Sequence, residues 1–234
     1  MNILRVFFFL LPIFIHAQKT YNFDYLLDYE QTHFRADTIK QNRIFLTNSK
    51  DNSYYAVISE LDSLHYELML HDRNKLHSKV KVKKAEFLNN EDINIDCNQV
   101  LAYENRYKFQ VKNYEFISLK DTLFNRKYCK VYKLKSTLKK KKIIRKKIGS
   151  HIYIIDSSTS FHLPFLEHDT EYEEWLKERS LPNGIFLKKI LLNYKDEIST
   201  IQELKELKKV EININILGNC DHVKIKVTID GKGF

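Results

Sequence analysis

Apolar and polar residues alternate one for one along most of this chain, and a backbone patterned at period two buries one face only by extending. Leu64, Tyr66, Leu68 and Leu70 fall on one side of the run 64–71, with His65, Glu67 and His71 on the other. Val80 and Val82 alternate with Lys79, Lys81 and Lys83, and Val223, Ile225, Val227 and Ile229 alternate with His222, Lys224, Lys226 and Thr228. The pattern predicts further strands over 21–29, 43–47, 54–59, 107–111, 114–119, 127–134, 150–155 and 185–194. Residues 48–53 read as a hairpin loop and 61–63 as a tighter one.

One helix is signalled. Thr170 and Glu173 stand at capping-box spacing, Glu171, Glu173 and Glu174 suit a positive helix start, and Lys177 and Arg179 suit its end. Tyr172, Trp175 and Leu176 then share a side, and Leu181-Pro182-Asn183-Gly184 stops the helix. This capping role also accounts for the acidic group Glu167, Asp169, Glu171, Glu173 and Glu174 better than paired catalytic carboxylates do. Residues 201–210 stay open between helix and strand: Ile201, Leu204 and Leu207 have helical spacing, but 211–216 (EININI) alternates. The expected fold is α+β, mainly β: a curved antiparallel sheet or half-open barrel packed on one or two helices.

Residues 1–17 have the layout of an export signal. Arg5 gives a positive start, 6–15 (VFFFLLPIFI) form an apolar run too short for a permanent span, and Ala17 is a small residue at a cleavage point. With no repeat and no linker, 18–234 reads as a single β-rich domain without an integral membrane span, located in the periplasm or outside the cell. Phe234 is a terminal aromatic of the kind outer-membrane barrels carry, but the apolar residues before it fall on the opposite face, which argues against a barrel.

The formal charge is +9, falling to +8 once Arg5 leaves with the signal. Lys, Ile and Asn are abundant together, as an AT-rich coding sequence imposes, so charge alone selects no partner, and nucleic acid is not expected of an exported chain. Lys139, Lys140, Lys141, Lys142, Arg145, Lys146 and Lys147 form one dense basic run. It reads either as a solvated hairpin whose charges keep an edge from pairing, or as a patch for anionic lipid or polysaccharide.

The remaining candidates are weaker. Asp92, Asn94 and Asp96 match the opening ligands of a calcium loop, but Cys97 replaces the required Gly and Tyr103 the required Glu, so a strand is expected. His65, His71 and His77 recur every six residues, too far apart along one strand to share a metal, and read as exposed histidines. Cys97, Cys129 and Cys220 allow one disulfide in three pairings. Cys220 with His222 gives a thiolate–imidazole pair lacking an orienting group. Zincin, Cys-x-x-Cys, nucleophile-elbow and phosphate-loop motifs are all missing from the sequence, and it offers no cofactor motif.

Ser180-Leu181-Pro182-Asn183-Gly184-Ile185, with Lys127-Tyr128-Cys129-Lys130 upstream, resembles the signature of the GLPGLI proteins. Ser180 replaces the first Gly, Asn183 is inserted and Ile185 takes the Leu position. The resemblance covers about residues 127–195 and implies an exported, sheet-rich protein of the Bacteroidetes, with no reaction attached. The reading that joins these observations is a soluble, non-enzymatic envelope protein whose sheet holds an apolar ligand (a lipid or acyl chain) or an envelope partner. The competing readings are an envelope hydrolase built on Cys220 or a histidine cleft, and a structural or assembly partner of a secretion or outer-membrane system.

Overall fold

The computed structural model describes residues 19–34, 37–73, 75–89, 92–217 and 220. The export signal, the alternation at 222–229 and Phe234 lie outside these residues. In chain order come β1 (Lys19–Phe34), β2 (Thr38–Thr47), β3 (Tyr54–Glu60), β4 (His65–Asp72), β5 (Leu76–Lys83), α1 (Lys84–Leu88), β6 (Ile93–Asp96) and β7 (Val100–Ala102). They are followed by β8 (Tyr114–Ser118), β9 (Thr122–Phe124), β10 (Lys127–Ser136), α2 (Lys140–Lys146), β11 (Ser150–Asp156), α3 (Asp169–Glu178), β12 (Ile185–Leu192) and β13 (Ile198–Leu217).

The strands form one open, largely antiparallel sheet in the order β7-β5-β4-β3-β2-β1-β13-β12-β11-β10-β8, so the α+β, mainly β expectation holds. β6 adds in parallel to the far end of β13, and β9 pairs with β10. A register shift between Phe23 and Tyr25 in β1 turns the strand over. Tyr21 and Phe23 therefore join a core with Leu46, Ile58, Leu70, Ile95 and Ile214, while Leu27 and Tyr29 join a second core with Phe45, Val57 and Phe165 on the opposite face. This half of the sheet is covered on both sides, which explains why Tyr55, Ala56, Val57 and Ile58 are all buried in succession. The other half packs Leu134, Tyr153, Ile155 and Phe186 beneath Tyr172 and Trp175 of α3.

Several expectations are corrected, and two left open, the state of 201–210 and the disulfide pairing, are decided. Residues 201–210 belong to β13, because pairs such as Leu207 with Leu27 and Leu204 with Tyr29 along β1 override the helical spacing. Residues 107–111 contribute to a 3-10 helix, Lys108–Asn113, that buries Val111, and not to a strand. The basic run forms α2, not a hairpin. In α3 the cap is His168, with its backbone N–H 3.5 Å from Glu171 Oε2, so the helix starts before Thr170 and the reciprocal pair is His168–Glu171. Leu176 is exposed, unlike Tyr172 and Trp175. Glu171 thus serves the cap, as expected of the acidic group, but the side chains of Glu171, Glu173 and Glu174 are buried and do not simply face solvent at the helix start. Cys97 and Cys220 form a disulfide that ties the end of β6 to the chain beyond β13, leaving Cys129 free and buried.

Candidate functional site

Strand register places two rows of polar side chains on one face of the sheet. Tyr153, Lys189, Gln202 and Gln31 stand side by side across β11, β12, β13 and β1. His151, Leu191, Thr200 and His33 form the next row, two residues along each strand and hence on the same face. His33 Nδ1 lies 3.2 Å from Thr200 Oγ1. Over these rows runs the segment entering α3, which supplies Glu167, His168 and Glu171. The result is a cleft with two lobes that share His151, His168 and Leu191. One lobe, of about 310 Å³, is lined by Gln31, Arg43, Glu167, Lys189 and Gln202 among other residues. The other, of about 450 Å³, has Tyr114, Leu134, Ile148 and Leu191 as apolar walls with Lys146 and Lys147 beside them.

The centre of the cleft is a buried charge network. Glu171 is only 1% exposed. Lys189 Nζ lies 2.9 Å from its Oε1 and 3.2 Å from its Oε2, and His151 Nδ1 contacts Oε1. Burial alone would raise the Glu171 pKa, but Lys189, His168 and His151 outweigh it and hold the carboxyl well below its ordinary range. Glu167 is likewise lowered: burial opposes ionisation, and Lys189 together with Arg43, 2.6 Å away, prevails. Attraction by Glu171 raises His168, yet burial, Lys189 and His151 together leave it below the usual imidazole value. His168 nonetheless presents surface to solvent while protein atoms crowd its other side. Burial pushes Tyr153, whose hydroxyl is 3.2 Å from His151 Nδ1, far above the ordinary phenol value.

This arrangement offers cations for an anion, and at its waist the donor atoms of His151, His168 and Glu171 lie within 4.8 Å of one another. Of the residues weighed from the sequence, Glu167 and Glu171 of the acidic group and two of the basic run line the cleft, and the others fall elsewhere. Of the basic run, Lys146 and Lys147 line the larger lobe, and Lys139, Lys140, Lys141, Lys142 and Arg145 are exposed along α2. Asp92 accepts from the side-chain amides of Asn213 and Asn215, and Ile93–Asp96 form β6, the expected strand. His65 pairs with Asp62, whereas His71 and His77 face each other across β4 and β5 with ring centroids 4.9 Å apart. All three are half-buried, not exposed as expected. The disulfide removes the Cys220 thiolate, and His222 lies outside the described residues.

Arg43, His151, His168 and Lys189 went unread in the sequence. Two signals were present: the lysine pair Lys188-Lys189 inside the apolar run of β12, and a histidine abutting the acidic stretch of α3.

No protein-family model and no curated protein matches the chain, so the likeness to the GLPGLI signature stands on its short motifs alone. Among solved structures it is similar to the MucA/MucB complex of Pseudomonas aeruginosa, with TM-score 0.42 and 8% identity over 82% of this chain and 53% of that one. The chain thus spans about half the length of the MucB structures it matches. It is also similar to a putative outer membrane lipoprotein-sorting protein domain from Vibrio parahaemolyticus, with TM-score 0.32 and 13% identity over 80% of this chain and 85% of that one. A DUF1329 family protein from Desulfovibrio piger gives TM-score 0.32 and 9% identity over the same shares. Among the described residues no helix is long and apolar enough to cross a membrane.

Proposed function

We propose that this chain is an exported binding module of the cell envelope that takes an anionic amphiphile, such as a fatty acid or lipid with an acidic head, in the larger lobe. The carrying observation is the pairing of apolar walls at Tyr114, Leu134, Ile148 and Leu191 with Lys146 and Lys147 in one space of about 450 Å³. That size lies within the roughly 300–1,000 Å³ of small-ligand clefts. The interior between sheet and α3 is filled by Tyr153, Ile155, Trp175 and Phe186, so an acyl chain enclosed there has no room. The open space is at the cleft, and its lysines ask for a negative head group. The basic residues of α2 extend that field outward, which makes the landing-patch reading of the run part of the same site.

Export rests on residues 1–17 and gains support from the Cys97–Cys220 disulfide, which persists in oxidising compartments. Titration with a fluorescent fatty acid and with the matching fatty alcohol tests the ligand class. The acid is expected to bind saturably and more tightly than the alcohol, and K146E/K147E to remove that preference. Equal binding of acid and alcohol, or none of either, sinks the reading.

A further inference from the structure

We propose that His151, His168 and Glu171 bind a divalent transition metal at the waist of the cleft, leaving coordination positions open toward the two lobes. Two imidazoles and a carboxylate form a donor set suited to zinc, and three protein ligands with free positions describe a metal that still accepts water or a ligand. The three donor atoms lie within 4.8 Å of one another, and donors around one zinc at roughly 2.0–2.1 Å sit about 3.3 Å apart. Reaching that spacing takes side-chain rotation: His151 Nδ1 and Glu171 Oε1, now in hydrogen-bond contact, move apart to admit the ion, and the longer separations close. His168 has exposed surface and room to swing, while His151 on β11 and Glu171 in the first turn of α3 start from regular secondary structure.

The network around the donors points the same way. Glu171 is almost wholly shielded and stays ionised there because a cation, the Lys189 ammonium, lies within 3.2 Å of both of its oxygens. A metal placed between His151, His168 and Glu171 takes over that neutralising role from the cleft side, in competition with Lys189. Lys189 keeps a second carboxylate within electrostatic reach, Glu167, and turns to it without being stranded. Both lobes reach His151 and His168, so a group bound in either has access to the open positions. The inference is independent of the amphiphile: metal binding stands or falls with or without a lipid.

Calorimetric titration of the untagged, chelator-stripped chain with Zn²⁺ tests it, with equilibrium dialysis for stoichiometry. One Zn²⁺ per chain is expected. H168A, checked for native fold by circular dichroism because His168 also caps α3, should weaken binding by at least about tenfold, the lower end of the effect of removing even a supporting group. K189M takes away the competing ammonium and should tighten Zn²⁺ binding, an outcome that a merely structural ion-pair network does not produce. H71A/H77A should leave the titration unchanged. Failure of both wild type and K189M to bind Zn²⁺ saturably overturns the proposal. Wild-type affinity in H168A, or loss of binding in H71A/H77A, overturns it equally.

Discussion

Asp72 and Glu171 are both nearly sealed from solvent, and the molecule neutralises them in opposite ways. Asp72, at the end of β4, takes Lys19 Nζ at 2.5 Å, Tyr21 OH at 2.8 Å and Lys75 Nζ at 3.4 Å. Both lysines stay largely in water, with side chains 44% and 60% exposed, and reach inward from the rim. Glu171 is met by Lys189 and His151, whose side chains are only 10% and 16% exposed. The first arrangement pins strands at an edge of an apolar core. The second places several charges where burial is expensive and hydrophobic replacement is often no worse for stability. Charges kept at such a position, along an open cleft, are what the proposed binding site would draw on.

The largest expected effect strikes the apolar half alone. Cys97 and Cys220 close a loop of 123 residues across β6 and β13. Chain-entropy arguments give such a cross-link up to about 5 kcal/mol. C97S/C220S should therefore lower unfolding stability by several kcal/mol in a urea titration while leaving cleft binding intact in the fraction that folds. Lost binding in folded C97S/C220S would mean that the two halves are not separable.

Next come the two carboxylates themselves. E171A takes the shared carboxylate away from Lys189 and His151 at a buried position, leaving Glu167 as the carboxylate near Lys189, and should cost about 3–5 kcal/mol. D72A lets its lysines return to water and leaves chiefly the Tyr21 hydroxyl unsatisfied, so about 1–3 kcal/mol is expected. Urea midpoints of the two variants side by side test the ranking. The contrast fails if D72A is the more damaging.

Acid sharpens the comparison further, because His71 of the apolar half and Glu171 of the cleft respond in different windows. His71, stacked on Tyr55 with ring centroids 4.9 Å apart, is lowered from 6.5 to about 4 by burial first and then by His77 and Arg73. The unfolded chain takes up this proton more readily, so stability is complete above pH 6.5 and declines as pH falls toward 4, by on the order of 3 kcal/mol. The lowered His77 and His168 act in the same direction. Glu171 works lower: its contribution is complete above the unfolded value of 4.5 and is lost only as pH drops below it. H71F should flatten the stability curve between pH 6.5 and 4 and leave the steeper fall below 4.5 in place. An unchanged curve in H71F would assign the upper window to other groups.

Most of the sheet is legible in the sequence because a half-buried strand must repeat at two, as Leu68 and Leu70 or Val80 and Val82 do. Residues 201–210 are not legible, since their helical spacing is overruled by partners nearly two hundred residues away on β1. The cleft is harder still. Gln31, His151, Lys189 and Gln202 become neighbours only through strand register, so no linear spacing announces them. The disulfide was one of three possible pairings, and only the parallel docking of β6 on β13 brings Cys97 to Cys220.

The smallest effect tests the seam between the halves. Gly184 begins the return from α3 into β12, with φ at +143°, where a side chain is strained. A Cβ there would stand 2.8 Å from Ile155 Cγ2 and 2.9 Å from the Asp156 carbonyl oxygen. The Gly184 N–H donates to the His162 carbonyl at 2.9 Å, and the next N–H, of Ile185, donates to Thr159 Oγ1 at 2.7 Å, so the backbone has little freedom to retreat. Ile185 then packs into the core of the doubly covered half and Phe186 into the core beneath α3, which puts both halves on one hinge of chain. G184A should cost about 1–3 kcal/mol, as overpacking does. It should also weaken cleft binding, because displacing β12 moves Lys189 and Leu191, and a G184A variant as stable as wild type would remove this turn as the joint between core and cleft.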